Sequence, residues 1–235
     1  MFGGADAELS RIMAYASRSA RELGHPRVGS EHLLLGLALS RGAVAGILTW
    51  HGATSSAIRG ATCAAAPAGA GAAADRGILA VLGIDLDPVL DQSGPAVLDR
   101  PVGPVPVFPL GASRARARCA RMSPPLGADA QAAWEAALRL ALARHERRHG
   151  SEHLALALVT LDPGASWVLT ETGADRTAVL ASLIAAFPRP AGHPLLRTAR
   201  RLGHRSRHRD IVRRYQRLTG RIATDGAAVA QLIAG

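Results

Sequence analysis

One seven-residue motif occurs twice in this chain, and its repetition limits the possible folds more than any other feature. Residues 29–35, with the sequence GSEHLLL, return as residues 150–156 with the sequence GSEHLAL. In each copy the serine is a favourable N-cap residue, and the next residue, a glutamate, lies in the first turn, where the helix dipole favours an acid. A repeated unit of this kind usually needs its neighbour to complete a core. The sequence therefore predicts two similar helical units that contact each other.

The similarity of the two copies continues beyond this motif. About 15 residues further on, residues 47–52 (ILTWHG) correspond to residues 168–173 (VLTETG), and residues 78–83 (ILAVLG) form a third copy of this part alone. In each case a branched apolar residue follows the glycine by six positions: Ile58, Val89 and Val179. The chain thus contains two repeats and one additional half-repeat.

Apolar spacing predicts an all-α fold. Residues 5–23 carry apolar side chains at helical spacing, whereas no stretch of the chain alternates in the way a half-buried strand does. The stretch 64–74 is rich in Ala and Gly and favours a loop, although Ala can extend a helix. In the half-repeat, Asp87 is a favourable N-cap residue and Pro88 a favourable first helical residue. Further helices are predicted over residues 31–40, 43–50, 55 onwards, 76–92 (two short helices), 128–147, 152–161, 165–171, 176–186, 195–202, 208–218 and 226–234.

Composition divides the chain into four parts. Residues 1–92 hold the first repeat and the half-repeat, 93–127 form a Pro/Arg-rich linker, 128–188 hold the second repeat and 189–235 form a basic helical tail. The chain has no lysine, so all 28 basic residues are arginine, a bias typical of a GC-rich genome. Eleven of these arginines and only two acids lie in residues 189–235, so most of the net charge of +10 belongs to the tail.

The motif and its surroundings resemble the N-terminal domain of Clp unfoldases, which is a pair of four-helix repeats. The resemblance rests on a helix that ends in Leu-Gly-His at residues 23–25, the sequence VGSEHLLLGL at 28–37, and a further helix that ends at Gly52. Residues 1–3, Met-Phe-Gly, are similar to the start of the ClpC type. The resemblance implies a first repeat over residues 1–63 and a more diverged second repeat over about 128–187. The last 47 residues have no counterpart in that family.

This resemblance implies a binding function. ClpC-type N-terminal domains bind arginine-phosphorylated protein substrates, and the motif glutamate of each repeat lies at that site. The matching residues here are Glu31 and Glu152, with Ser30 and Ser151 beside them, and a pair of carboxylates suits a guanidinium group. The alternative is that both glutamates only favour the start of a helix. His32 and His153 are expected to be packing or capping residues.

The resemblance also implies partners. In the family the residue equivalent to Phe2 lies in a surface that binds cyclic-peptide antibiotics, whereas an N-terminal Phe more commonly fills a core. The expected function is a non-catalytic protein-binding or peptide-binding module that acts as an accessory, adaptor or decoy in Clp-dependent proteolysis. Its expected partners are protein substrates, peptides, cyclic-peptide ligands and components of the Clp ATPase or protease. No cofactor is expected, and ATPase activity is excluded because a P-loop needs a lysine.

The arginine-rich tail supports an alternative function, binding to nucleic acid or to an acidic protein. Such binding would weaken steeply with salt. Tyr215 is the only aromatic residue among these arginines, which disfavours base stacking, and a solvated helix on the protein body is the simpler interpretation. The candidate contacts are Arg200, Arg201, Arg205, Arg207, Arg209, Arg213, Arg214 and Arg217.

A third possibility is a zinc peptidase, because residues 145–149 match the pattern H-E-x-x-H. On a helix this spacing places two imidazoles on one face with the glutamate as general base, and Glu152 or Glu171 would complete the metal site. However, His149 falls where the chain enters the second repeat, and the first repeat has no such motif at residues 24–28. The sequence therefore favours a protein without catalytic or metal-binding residues.

Two further features concern the cellular setting. Cys63 and Cys119 lie in unrelated contexts and suggest neither a disulfide framework nor a metal site, which is typical of a reducing cytosol. No apolar run approaches the ~18–20 residues that span a bilayer, and the N-terminus has no apolar signal region. The sequence predicts a cytoplasmic protein that does not contact membranes.

Overall fold

The computed structural model describes residues 6–94, 121–146, 148–189 and 208–233, and within them every regular element is a helix. An isolated parallel bridge pairs Val28 with Leu126. The all-α fold predicted from apolar spacing is confirmed. The helices are α1 (Ala7–Glu22), α2 (Ser30–Leu39), α3 (Ala43–Trp50), α4 (Ser55–Ala64), α5 (Ala70–Val81), α6 (Asp87–Ser93), α7 (Ala128–Ala143), α8 (Ser151–Leu161), α9 (Pro163–Glu171), α10 (Arg176–Ala186), α11 (His208–Thr219) and α12 (Gly226–Ile233).

Helices α1–α4 and α7–α10 are two copies of one four-helix unit. Both α1 and α7 have 16 residues, and a constant shift of 121 relates residue 7 to residue 128 and residue 30 to residue 151. The same shift relates Gly52 to Gly173, which lie just beyond the ends of α3 and α9 and have φ angles of 84° and 76°. Positive φ is easy for glycine because it has no Cβ. The repeat read from the sequence is thus a structural repeat.

Reciprocal hydrogen bonds join the two copies. The backbone N–H of Gly127 donates to the carbonyl of Val28 at 2.9 Å, and the N–H of Asp6 donates to the carbonyl of His149 at 3.1 Å. The shift of 121 relates residue 127 to residue 6 and residue 149 to residue 28. Each repeat therefore gives and receives the same bond, as expected for two units related by an approximate two-fold axis.

The core is built mainly from the two central helices. Leu33, Leu35 and Leu37 of α2 and Leu154 and Leu156 of α8 are all fully buried. Small alanines fill much of the remaining space, as the low aromatic content predicts. Among the described helices, none is by itself long and apolar enough to cross a membrane; α2 and α3 reach that length and composition only together, with a bend of 102° between them.

Two segments outside the repeats break their symmetry: one lies between the repeats and the other follows the second repeat. Helix α5 packs against α9, and α11 packs against α7 and α12. Ile211, Tyr215, Leu218, Val229 and Leu232 are buried in the same core cluster as the repeats. Residues 208–233 are therefore part of the fold, and we call them the C-terminal segment.

Several local predictions were wrong at helix ends. The N-cap residues of α2 and α8 are glycines, not serines, and Asp87 is the first residue of α6 while Leu86 is its N-cap. Helix α5 already begins at Ala70, within the stretch expected to be a loop, because alanine extends it. The helix expected over 195–202 and most of the 93–127 linker lie outside the described residues.

Candidate binding sites at the two Ser-Glu-His motifs

The two motifs start α2 and α8 with the same local geometry. The backbone N–H of Gly29 donates to Nδ1 of His32 at 3.0 Å, and that of Gly150 donates to Nδ1 of His153 at 3.1 Å. In both copies a carboxylate oxygen of the motif glutamate lies 3.1 Å from the same Nδ1. The capping role expected for the two histidines is therefore confirmed.

Each motif serine bonds to an acid of the opposite repeat. The hydroxyl of Ser30 donates to Oδ2 of Asp129 at 3.3 Å, and that of Ser151 donates to Oε2 of Glu8 at 3.0 Å. The shift of 121 relates Asp129 to Glu8, so these contacts are equivalent. Sequence reasoning missed both acids, although each lies in the first turn of an equivalent helix.

The site around Ser30 and Glu31, which we call the first-repeat site, is closed to solvent. Glu31 is only 2% exposed and Ser30 is fully buried, and Oε2 of Glu31 has no hydrogen-bond partner. Burial raises the pKa of Glu31, but hydrogen bonding to His32 and its charge lower it further, so that the net pKa lies below its usual value. Beside this carboxylate is a cavity of about 20 Å³, room for roughly one water. Its lining includes His25, Arg27, Gly69, Gly71, Asp129 and Arg221.

Helix α5 covers this first site through a close glycine contact. A Cβ on Gly164 would lie 2.8 Å from the backbone nitrogen of Gly71 and 3.0 Å from Oγ of Ser30. A side chain at Gly164 would force α5 away from α9. The closure of the first site thus depends on an insertion that has no equivalent at the second repeat in the described residues.

The C-terminal segment completes the closure with Arg221. Its Nε donates to Oδ2 of Asp75 at 2.8 Å, and its guanidinium lies so close to α5 that a Cβ on Gly71 would be 2.7 Å from Cζ. Burial lowers the pKa of Arg221, but the charges of Asp129 and Asp75 raise it to a net value above normal. This arginine is therefore held as a cation by the buried Asp129 and the partly exposed Asp75.

The site around Ser151 and Glu152, which we call the second-repeat site, is more exposed to solvent than the first-repeat site. The Glu152 side chain is 24% exposed, and Ala43, the equivalent of Gly164, is exposed instead of covered. Glu8, the partner of Ser151, lines a cleft of about 510 Å³. The other residues that line it are Arg11, Tyr15, Ser40, Arg41 and Gly42. An adjoining cleft of about 620 Å³ shares Ser40, Arg41 and Gly42 and extends to Trp50, which is 86% exposed.

The two sites also differ in the residue that faces the motif histidine. Glu146 lies 3.2 Å from Nε2 of His153, whereas the equivalent residue His25 stacks edge-on against His32 with ring centroids 4.8 Å apart. Burial lowers the pKa of His153, but Glu146 and Glu152 raise it to a net value above normal. Burial, followed by the charge of His32, lowers the pKa of His25. The second site therefore favours the charged form of His153, whereas the first site favours the neutral form of His25.

The H-E-x-x-H segment does not have the geometry of a zinc-protease helix. Helix α7 ends at Ala143, and His145 has a φ of 60°, like its equivalent Gly24 at 67°. Glu146 pairs with Arg144 and His153 instead of facing a metal site. In the described part of the chain, neither of the two clusters with potential metal ligands contains His145 or His149.

The described tail arginines point in different directions. Arg209, Arg213 and Arg217 are exposed at four-residue intervals along α11. Arg214, also a candidate nucleic-acid contact, instead pairs with Glu135 of α7. Four of the predicted nucleic-acid contacts, Arg200, Arg201, Arg205 and Arg207, lie outside the described residues, as does Phe2.

Of three comparisons with known proteins, the one with solved structures finds a match. No protein-family model matches the chain, and no curated protein matches it. Among solved structures, the chain is similar to the crystal structure of the N-terminal domain of the caseinolytic protease-associated chaperone ClpD from Arabidopsis thaliana. The TM-score is 0.47 and the sequence identity 19%, over 77% of this chain and 93% of that chain.

Proposed function

We propose that this protein is a non-catalytic binding module of the Clp N-domain type, and that it recognises protein substrates or peptides at the second-repeat site. The observation that carries the proposal is the contact between Ser151 and Glu8, because Glu8 also lines the open cleft of about 510 Å³. The motif thus adjoins a surface that a ligand can reach. At the first repeat Asp129, the equivalent of Glu8, is buried.

The charged residues of the open cleft suit a ligand side chain that carries both a positive and a negative charge. Glu8 offers a carboxylate to a guanidinium group, and Arg11 and Arg41 offer donors to a phosphate. The partly exposed carboxylate of Glu152 lies on the adjoining first turn of α8. A phosphorylated arginine has this combination, which supports arginine-phosphorylated proteins as the substrate class. Binding of cyclic peptides near Phe2 is a further part of the proposal.

Binding is best tested with matched peptides on the full chain. We expect an arginine-phosphorylated peptide to bind more tightly than the same peptide with unmodified arginine or phosphoserine. Glu152→Gln and Glu8→Gln should each weaken binding by about tenfold, equivalent to about 1.4 kcal/mol. Glu171→Gln, at an exposed glutamate of α9, is the control and should bind normally. Equal affinity for all three peptides in isothermal titration calorimetry would exclude this substrate class.

The direction of its effect on proteolysis needs a separate experiment. An adaptor would speed degradation of an arginine-phosphorylated substrate by a reconstituted Clp unfoldase and protease, whereas a decoy would slow it. We expect slowing, because a substrate held at the second-repeat site is withheld from the unfoldase. Either effect should disappear with Glu152→Gln if the second-repeat site is responsible.

Nucleic-acid binding is a second candidate function, favoured by the exposed stripe of Arg209, Arg213 and Arg217. Replacing all three with glutamine should lower the salt slope of DNA binding by about 3, since each phosphate contact contributes about 0.9. Arg18→Gln, at an exposed arginine of α1, should leave the slope unchanged. Fluorescence anisotropy at several salt concentrations measures this, and an unchanged slope in the triple variant excludes the stripe as the binding surface.

A further inference from the structure

The first-repeat site contains a positively charged side chain that belongs to another segment of the same protein. Arg221 enters from the C-terminal segment, and its Nε donates to Asp75 of α5. Its side chain is only 10% exposed. It shares the lining of the small cavity with Glu31 and Asp129 of the two repeats. The guanidinium group of Arg221 therefore lies beside α5 and beside residues of both repeats.

Three buried acids lie near Arg221, and a second guanidinium, that of Arg27, lines the same cavity. Asp129 is 9% exposed, and Asp162 is 1% exposed. Glu31 adds a buried oxygen without a hydrogen-bond partner, and it lines the same cavity. Buried carboxylates are costly unless a cation or hydrogen-bond donors compensate them. The site is thus built for a cationic group, and a planar guanidinium fits the narrow space above Gly71, where a Cβ would lie within 3 Å of three of its atoms.

The approximate two-fold axis relates this filled site to the open one. Ser30 and Asp129 of the filled site correspond to Ser151 and Glu8 beside the open cleft. Among the described residues, neither α5 nor the C-terminal segment has a counterpart there, and Ala43 remains exposed. In this part of the chain, Arg221 therefore occupies the first copy of the site, whereas Glu152 of the second copy keeps a partly exposed carboxylate.

We propose that the first-repeat site is a guanidinium-binding site that Arg221 of the same chain fills. The folded chain then offers the second-repeat site to ligands and keeps the first-repeat site closed to arginine side chains of other proteins. This inference extends the proposed function, since it states how one of the two sites is regulated. Loss of Arg221 from its place opens the site to an external guanidinium ligand.

The first test does not depend on the proposed function. Thermal unfolding of the full-length Arg221→Ala variant is measured with millimolar methylguanidinium chloride and, in parallel, with methylammonium chloride. We expect the unfolding midpoint to fall by about 5 °C and to recover with methylguanidinium but not with methylammonium. The midpoints of the unchanged protein and of Arg214→Ala should not respond to either salt. Equal recovery with both cations would overturn the proposal, because the site would then accept any positive charge.

The second test counts sites by calorimetry with free phosphoarginine. One site is expected for the unchanged chain, two for Arg221→Ala, and one for Arg221→Ala combined with Glu152→Gln. One site in both the unchanged chain and Arg221→Ala would overturn the inference while the proposed function stands. No binding to any protein, together with recovery by methylguanidinium, would overturn the proposed function and leave the guanidinium site. If Arg221→Ala does not fold, Arg221→Gln, which removes the charge and keeps an uncharged side chain at this position, takes its place in both tests.

Discussion

The phenolic hydroxyl of Tyr215 donates to Oδ2 of Asp162 over 2.6 Å, and both side chains are buried. The other carboxylate oxygen of Asp162 accepts a 2.6 Å hydrogen bond from the N–H of Ala165 and so caps α9. Burial, followed by the charge of Asp129, raises the pKa of Asp162 to about 6, although the bond from Tyr215 acts in the opposite direction. The tyrosine thus ties the C-terminal segment to a helix of the second repeat.

Tyr215→Phe should therefore reduce stability more than the loss of one exposed hydroxyl would. Without the donor, a buried carboxylate oxygen loses a hydrogen-bond partner, which costs about 1–3 kcal/mol. We expect the free energy of unfolding in urea at neutral pH to fall by that amount. Tyr15→Phe is the matched control, since this tyrosine borders the open cleft and has no hydrogen bond in the described structure. Equal effects of both substitutions would contradict the structural role given to Tyr215.

A second prediction concerns the glycines of α5. Gly71→Ala places a Cβ 2.7 Å from Cζ of Arg221, so the guanidinium must move away from its acids. Gly77 lies in the same helix with nothing within 4 Å of a Cβ. Gly77→Ala should raise the free energy of unfolding by about 0.5–1 kcal/mol, because glycine is unfavourable inside a helix. Gly71→Ala should lower it; stabilisation by both substitutions would show that the guanidinium is not held in place.

The equivalent residues Gly24 and His145 give a third prediction. Both have positive φ at the end of the first helix of a repeat, a conformation that costs a residue with a Cβ about 1–2 kcal/mol. His145→Gly should therefore raise the free energy of unfolding by roughly 1 kcal/mol, and Gly24→Ala should lower it by a similar amount. A Cβ at Gly24 meets nothing within 4 Å, so that cost is conformational. Urea unfolding of the two variants measures both changes, and a loss of stability in His145→Gly would mean that the imidazole contributes more than the backbone strain costs.

The repeat was predictable because local sequence defines it. The motif at residues 29–35 and 150–156 and the glycines at positions 52 and 173 place equivalent helices at a constant shift. The serine caps were wrong because an acid from the other repeat, Asp129 or Glu8, attracts the hydroxyl in the folded chain. Local spacing carries no information about such a partner.

The contacts of the C-terminal segment were not predictable for the same reason. Arg221 is one of eleven arginines in a basic tail, and nothing in its neighbours distinguishes it from Arg217, which is exposed. Its partner Asp75 lies in an inserted helix 146 residues away. Only the folded arrangement of α5 against α9 decides which arginine becomes buried, and therefore which of the two motif sites is open.

The pH dependence of stability provides the last prediction. His149 is buried, with its ring centroid 5.4 Å from that of Trp134. Burial, followed by the charge of His153, lowers its pKa from 6.5 to about 4. Between these two values the unfolded chain binds a proton that the folded protein does not, so acidification favours unfolding. His149→Gln should therefore lose less stability between pH 7 and pH 5 than the unchanged protein, by about 2 kcal/mol. Urea midpoints at several pH values measure the difference; the contribution of His153, which has the opposite sign, is present in both proteins. Parallel pH profiles would contradict a neutral, buried His149.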